Sequence, residues 1–254
     1  MKLEGNTILV TGGGTGIGRG LAEALHARKN RVVIAGRRQD VLDRVVRDNP
    51  GMAALPLDLE RPEAIRDFAT RLLARFPDLN TVVHNAGIMR SEDLPGGANV
   101  DDAEAMITTN LLGPIRLTAA LLPHLARRPA AAIVTVTSGL AFVPLASAPT
   151  YSATKAAMHS WSESLRYQLK DTKVEVIELP PPYVQTELTG AHQASDPRAM
   201  PLPEFVEESM RLLAAASTPQ EVLVERVKPL RFAARGDYAG FFRTFNDSMA
   251  TARH

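Results

Sequence analysis

TILVTGGGTGIG, residues 7–18, runs from a β-branched segment through a glycine cluster straight into the helical pattern of Leu21, Ala22 and Leu25. Strand, glycine turn and helix in that order make a phosphate cradle. Gly12 permits the tight turn, and Gly16 and Gly18 let backbone and sheet approach closely, so the free amides at the helix N-terminus can receive a pyrophosphate. Gly12, Gly14, Thr15, Gly16, Ile17 and Gly18 are therefore candidate contacts for a dinucleotide. A glycine cluster alone can be a plain turn. Here residues 32–35 supply a second buried strand at the distance that completes a βαβ unit.

In a dinucleotide fold the residue that reads the adenosine ribose stands about 20 positions past the loop. Gly36, Arg37 and Arg38 occupy that place, and no acid follows until Asp40. A carboxylate would accept the 2′-hydroxyl of NAD, whereas a guanidinium pairs with the 2′-phosphate of NADP. Two cations just ahead of a helix beginning near Gln39 oppose its dipole, so structure alone gives little reason for them. Arg37 and Arg38 point to NADP(H), with NAD(H) as second choice.

The alternation continues outward. Residues 53–57 form a strand ending at Asp58, a helix follows over 62–76, and the strand 81–84 is stopped by Asn85, Ala86 and Gly87. Helices fill 100–126, a fifth strand covers 132–136 with Ser138 and Gly139 at its carboxyl end, and a sixth covers 174–179 before Pro180, Pro181 and Pro182. The pattern predicts an α/β fold, a Rossmann-type doubly wound parallel sheet in a three-layer αβα sandwich, as a single domain over residues 1–254. Within it, residues 187–215 read as a substrate loop and lid, and residues 228–254 as a helical tail carrying Phe232, Phe241, Phe242 and Phe245. Thr218, Pro219 and Glu221 read as the capping-box start of another short helix. The second helix of 100–126, with Ile115, Leu117, Ala119, Ala120, Leu121, Leu122 and Leu125, is apolar nearly all round and must be covered twice. One side can lie on the sheet, and the other meets a partner subunit or the chain's own loops.

Lys+Arg at 29 against Asp+Glu at 28 leaves a net charge of +1, which gives no electrostatic reason to expect a nucleic acid or an anionic membrane. With no cysteine there is neither disulfide nor thiolate site. His26, His84, His124, His159, His192 and His254 are scattered without ligand spacing, so no metal is expected. The N-terminus offers no signal-peptide core, and residues 130–149 are too interrupted by Thr, Ser, Gly and Pro to span a membrane. The expectation is a cytoplasmic protein with a small-molecule ligand.

Tyr151 and Lys155 lie four residues apart in an Ala-rich helical segment, on one face. A phenol that works near neutrality must have its pKa lowered by about three units, or roughly 4 kcal/mol. A cation about 4 Å away at an effective dielectric of about 20 supplies that much. Alone, such a pair is more often surface decoration than chemistry.

With the glycine loop, Asn85-Ala86-Gly87, Asn110, Ser138, Tyr151 and Lys155 in this order, the chain resembles the classical short-chain dehydrogenase/reductase family over about its first three quarters. The resemblance implies Tyr151 as catalytic acid/base, Ser138 bonding the substrate oxygen, Lys155 holding the nicotinamide ribose and depressing the Tyr151 pKa, and Asn110 anchoring a relay water. By the same resemblance Asp58 and Leu59 meet the adenine, Asn85, Ala86 and Gly87 line the cofactor cleft, and Pro181, Val184 and Thr186 lie toward the nicotinamide. Departures are visible. His84 replaces the first Asn of Asn-Asn-Ala-Gly, a glycine-rich seventh strand is missing, and Pro182 replaces the usual glycine, a Pro-Pro variant that resembles the DltE-type subgroup.

The function implied is an oxidoreductase moving a hydride between NADP(H) and a small apolar carbonyl or secondary alcohol. The reading from another class is a nucleotide-binding sensor on the same fold without turnover, which has no need to keep Ser138, Tyr151, Lys155 and Asn110 together. Leu140, Phe142, Val143, Leu145, Tyr183 and Leu188 are the expected substrate pocket. A homodimer through the apolar helix and the Ala153, Ala157, Ser160 face, or a homotetramer, is the expected assembly.

Overall fold

Each apolar run of the sequence becomes a parallel strand. In the computed structural model, which describes residues 1–97 and 99–250, these are β1 (Thr7–Thr11), β2 (Arg31–Gly36), β3 (Ala53–Pro56), β4 (Leu79–His84), β5 (Ala131–Val136) and β6 (Val174–Leu179). They hydrogen-bond in the order β3-β2-β1-β4-β5-β6. β1 and β5 are buried at every position, as parallel strands covered on both faces should be. Alternate residues feed opposite cores. Ile8 and Val10 face one cluster with Leu21, Leu25 and Phe205, and Leu9 faces the other with Phe68, Leu117 and Leu165.

The helices follow from these faces. On the first side lie α1 (Gly16–His26), α2 (Gln39–Asp48) and α8 (Leu202–Leu213); on the second lie α3 (Pro62–Arg75), α5 (Gly113–Leu125) and α6 (Pro149–Gln168). Three layers and one sheet result. The strand order reverses between β1 and β4, which is where an open α/β sheet leaves its ligand crevice. α4 (Val100–Ile107) joins α5 through a π-helical turn, Thr108–Leu112. This run, Val100–Leu125, is long and apolar enough by composition to cross a membrane, a feature the sequence reading passed over. In the fold Leu117, Thr118, Leu121 and Leu125 are buried against the sheet and its neighbours, as in any core helix.

One expectation changes. No helix begins at Thr218: Val222 donates from its amide to the Glu178 carbonyl and Glu221 makes an isolated parallel bridge with Glu178, a remnant at the edge where a seventh strand would pair. The apolar helix α5 is buried on one side, and Leu112 before it and Ala119 on it are exposed. The tail folds as α9 (Lys228–Arg231) and α10 (Tyr238–Ala250) with Phe232, Phe241, Phe242 and Phe245 half-buried, and residues 251–254 of the predicted tail lie outside the described residues. The loop-and-lid stretch holds α7 (Ala191–Ala194) and α8, and a bridge between Val184 and Met200 closes its base.

His84 explains how β4 does without the expected asparagine. Its Nε2 meets Thr118 Oγ1 at 2.8 Å and ties the strand to α5, while Nδ1 has no partner among the described residues. Burial pulls its pKa down to about 4. A group depressed in the fold is neutral there while the unfolded chain still takes a proton, so stability is intact above the ordinary value near 6.5 and is lost as pH falls toward about 4, by about 3 kcal/mol in all. His84→Gln, which keeps the reach to Thr118, should therefore lose less stability than the parent between about pH 7 and about pH 5, by roughly 2 kcal/mol. Urea unfolding at the two pH values measures it; identical losses in the two proteins would contradict the assignment.

Candidate active site

The loops after β1 and β4 are stitched together at the point of reversal. Thr11 Oγ1 accepts from the Asn85 and Ala86 amides at 3.0 and 3.1 Å, and Asn85 Nδ2 donates to the Thr11 carbonyl at 3.0 Å. The stitch leaves no room for a side chain at positions 12 and 18 of the glycine loop. A Cβ on Gly12, where φ is +67°, would stand 2.9 Å from Ala86 Cα, and one on Gly18 would collide with Asn85 Nδ2 and the Gly12 carbonyl oxygen. Gly18 is thus a packing residue between helix and loop and does not face the cavity, unlike Gly12, Gly14, Thr15, Gly16 and Ile17. At the head of α1, Thr15 makes no side-chain cap and no acid stands in the first turn, so the amides and the helix dipole are left for an anion.

These residues line one end of a cavity of about 1170 Å³. Arg37, Arg38, Asp58 and Leu59 form its wall beyond β2 and β3, Asn85, Ala86 and Gly87 its floor, and Pro181, Val184 and Thr186 its far side. Thr186 lies over Gly16, its Cγ2 at 3.3 Å from where a Cβ would be. Arg37 pairs with Glu60 at 2.9 Å, an acid that the sequence reading did not weigh and that also lines the cavity. Arg38 is exposed, and the described residues show no carboxylate on it. Glycine loop, uncapped amides and an open guanidinium fit a phosphorylated dinucleotide.

At the other end, Ser138, Tyr151 and Lys155 meet, all nearly inaccessible. Tyr151 and Lys155 stand on the first turns of α6, which begins at Pro149 and is capped from a distant loop. The Glu92 carboxylate accepts from the Thr150 amide at 2.8 Å and from its hydroxyl at 2.7 Å. Lys155 Nζ donates to the Val136 carbonyl at 2.9 Å and lies 5.6 Å from the centre of the Tyr151 ring. Asn110, in the π-helical turn, clamps Ile88: its Oδ1 accepts from the Ile88 amide and its Nδ2 donates to the Ile88 carbonyl, both at 2.9 Å. Nδ2 also reaches Thr154 Oγ1 at 3.3 Å, so Asn110 backs the wall and does not line it.

The expected lowering of the Tyr151 pKa is reversed by the protein's own groups. Burial pushes it up to about 12, against the smaller opposing effect of the Ser138 hydrogen bond. Burial also pulls Lys155 down to about 8. Two desolvated groups each resist charge, and the ammonium alone does not overcome that.

The substrate end differs in part from expectation. Leu140, Leu145, Tyr183 and Leu188 line it, but Val143 is fully buried and Phe142 packs edge-on against His159 at 4.9 Å. Ile88, Met89, Leu230, Phe245 and Met249 complete the wall. The i, i+4 spacing of Phe245 and Met249 is the signal that would have found the last two. α10 is pinned across the opening by Asn246, which accepts from the Ala146 amide at 2.6 Å and donates to the Pro144 carbonyl at 3.2 Å.

Comparison with known proteins agrees with this arrangement. A family described as short chain dehydrogenase matches residues 6–197. The oxidoreductase DltE of Bacillus subtilis (strain 168) is 42% identical over 255 residues, covering 97% of this chain and 98% of that protein. Among solved structures, a short chain dehydrogenase from Burkholderia cenocepacia J2315 in complex with NADP superimposes with a TM-score of 0.82 at 26% identity, covering 96% of this chain and 98% of the other. A 3-ketoacyl-(acyl-carrier-protein) reductase from Brucella melitensis complexed with NADH does so with a TM-score of 0.77 at 25% identity, covering 88% and 95%.

Proposed function

This chain belongs to the short chain dehydrogenase family and is a nicotinamide-nucleotide-dependent oxidoreductase; from that premise we propose that it interconverts a carbonyl and a secondary alcohol, with Tyr151 as acid/base and NADP(H) as the preferred nucleotide. The observation that carries the reading is one cavity with a phosphate cradle at one end and Ser138, Tyr151 and Lys155 at the other. When bound, the nucleotide supplies the hydride or takes it up at its nicotinamide ring. The glycine loop and α1 would hold its pyrophosphate, Arg38 and Arg37 its 2′-phosphate, Asp58 and Leu59 its adenine, Lys155 its ribose, and Pro181, Val184 and Thr186 its nicotinamide end.

Ser138 and Tyr151 then face the substrate oxygen from one side. In reduction that oxygen gains negative charge and needs a proton as it does so. Tyr151, protonated at neutral pH as any phenol is and pushed up further by burial, has one to give, and Ser138 shares the charge through its hydroxyl. Alcohol oxidation runs the same steps in reverse and returns the proton to Tyr151. Asn110 steadies the Ile88 backbone beside the reacting groups. The apolar wall suits an apolar carbonyl compound, residues 187–201 and the tail serve as loop and cover while α8 of the expected lid stretch is a core helix, and a homodimer or homotetramer would use the exposed Ala153 and Ser160 of α6 together with Leu112.

The NADP-bound Burkholderia protein supports the nucleotide preference, as do the arginines. Because Arg37 already pairs with Glu60, Arg38 is assigned the larger share of the phosphate. Charge-assisted hydrogen bonds contribute about 1.5–3 kcal/mol, so Arg38→Ala should weaken NADPH about tenfold or more and NADH little, with a smaller loss for Arg37→Ala. Titration calorimetry decides; equal affinities of the parent for the two nucleotides would refute the preference.

Tyr151→Phe keeps the ring and removes the proton. Turnover of a panel of apolar ketones and aldehydes, followed by NADPH absorbance, should fall about 10²–10⁴-fold with nucleotide affinity little changed. In the parent, reduction should stay level through neutral pH and decline as pH passes about 8, where Lys155 gives up its charge. Unchanged turnover in the Phe variant would remove Tyr151 from the chemistry.

A further inference from the structure

One buried carboxylate has no part in the reaction just described. Glu178, in β6, is wholly inaccessible; its Oε1 accepts from Thr137 Oγ1 at 2.6 Å and its Oε2 from His159 Nδ1 at 2.7 Å. Thr137 immediately precedes Ser138, and His159 stands one turn beyond Lys155 on α6. His159 is faced by Glu178 from β6, by Glu163 of its own helix at 3.8 Å, by Glu221 at 3.9 Å and by the edge of the Phe142 ring. The bond to Glu178 raises its pKa above the ordinary imidazole value. Glu221 holds Arg231 Nε with both oxygens, at 2.9 and 3.1 Å, and the Arg231 guanidinium lies 4.7 Å over Phe142. His159, Glu178 and Glu221 lie close enough to one another to suggest a metal triad. The Arg231 guanidinium already occupies Glu221 and the His159 ring nitrogen already occupies Glu178, so no metal is assigned.

The network touches the cavity at two points. Thr137 carries the backbone of Ser138, which lines the cavity beside Tyr151. Arg231 anchors α9, and the preceding residue, Leu230, lines the cavity against Gly139, where an added methyl would stand 2.5 Å from Leu230 Cδ1. Glu221 and Glu178 are also bridged through their backbones. We propose that Glu178 is a positioning residue: through Thr137 and His159 it sets Ser138 against Tyr151, and by fixing His159 3.9 Å from Glu221 it steadies Glu221, Arg231 and the Leu230 wall over the substrate end. This rests on the roles given above to Ser138 and Tyr151.

A buried ion pair identifies itself by what happens when one partner is removed. His159→Gln strands the Glu178 anion, whereas removing both charges strands nothing. The experiment is steady-state reduction of the ketone and aldehyde panel by the parent, His159→Gln and the double variant His159→Gln with Glu178→Gln. Crystal structures of each with NADPH accompany the kinetics. His159→Gln should lower kcat about tenfold with the KM for NADPH within about twofold, and the double variant should recover several-fold. The structure of the single variant His159→Gln should show Ser138 Oγ and Leu230 displaced. Should His159→Gln not fold, Thr137→Val against Thr137→Ser makes the same comparison, with loss in the first and retention in the second. An unchanged kcat in His159→Gln, or a double variant no better than it, overturns the proposal. If the parent reduces nothing on the panel, the oxidoreductase assignment of Tyr151 fails separately and the structures alone decide here: displaced Ser138 and Leu230 uphold the positioning role, and unmoved ones overturn it.

Discussion

An ammonium that water can hardly reach governs the cleft. Lys155 sits at the carboxyl end of β5 with its Nζ on the Val136 carbonyl, and burial pulls its pKa down to about 8 from 10.5. The difference is a cost of about 3 kcal/mol, present in full below about pH 8 and relieved only as pH rises toward the unfolded value. No fold keeps such a charge for stability. It persists because α6 is over-determined around it: the Glu92 carboxylate holds the helix head at Thr150, Ser162 bonds Thr135 of β5 at 2.9 Å, and His159 is tied to Glu178. Tyr151 next to it bears the opposite cost, a phenol kept neutral by the same lack of solvent.

The other end of the cavity obeys a steric constraint. Thr11 and Asn85 draw the loops after β1 and β4 so close that only glycine fits at positions 12 and 18, and the amides of α1 are left open toward the crevice. One sheet therefore presents a helix dipole and a buried phenol and ammonium along a single cavity, with the strand reversal between them. α10, pinned by Asn246, closes the apolar side with Phe245 and Met249.

The fold was legible because its signals are local. Parallel strands covered on both faces read as unbroken apolar runs, and β6 matches its sequence reading at both ends. The residues singled out as motifs at fixed order, Ser138, Tyr151 and Lys155 with the glycine loop, are brought together along one cavity, whereas Asn110 and Gly18 stand behind its wall. What escaped depends on distant pairing or on solvent. The Thr218 capping box is a valid local signal, yet the chain there bonds to the edge of β6 across some 40 positions instead. Glu60 finds Arg37 across 23 positions and Glu92 finds Thr150 across 58, separations no window contains. Glu178 reads as an ordinary strand residue until Thr137 and His159 are beside it. The sign of the Tyr151 shift was misjudged because spacing reveals the neighbouring charge but not the desolvation.

The central claim is that hydride passes between nicotinamide and a carbonyl carbon in this cavity, with the proton coming separately. It is tested most directly by supplying NADPH deuterated at both C4 positions, with any carbonyl compound the protein reduces, in ordinary water. Mass spectrometry of the alcohol should find one deuterium, bonded to carbon, in essentially every product molecule, and none when unlabelled NADPH is used in heavy water. Product without carbon-bound deuterium in the first experiment would contradict the account.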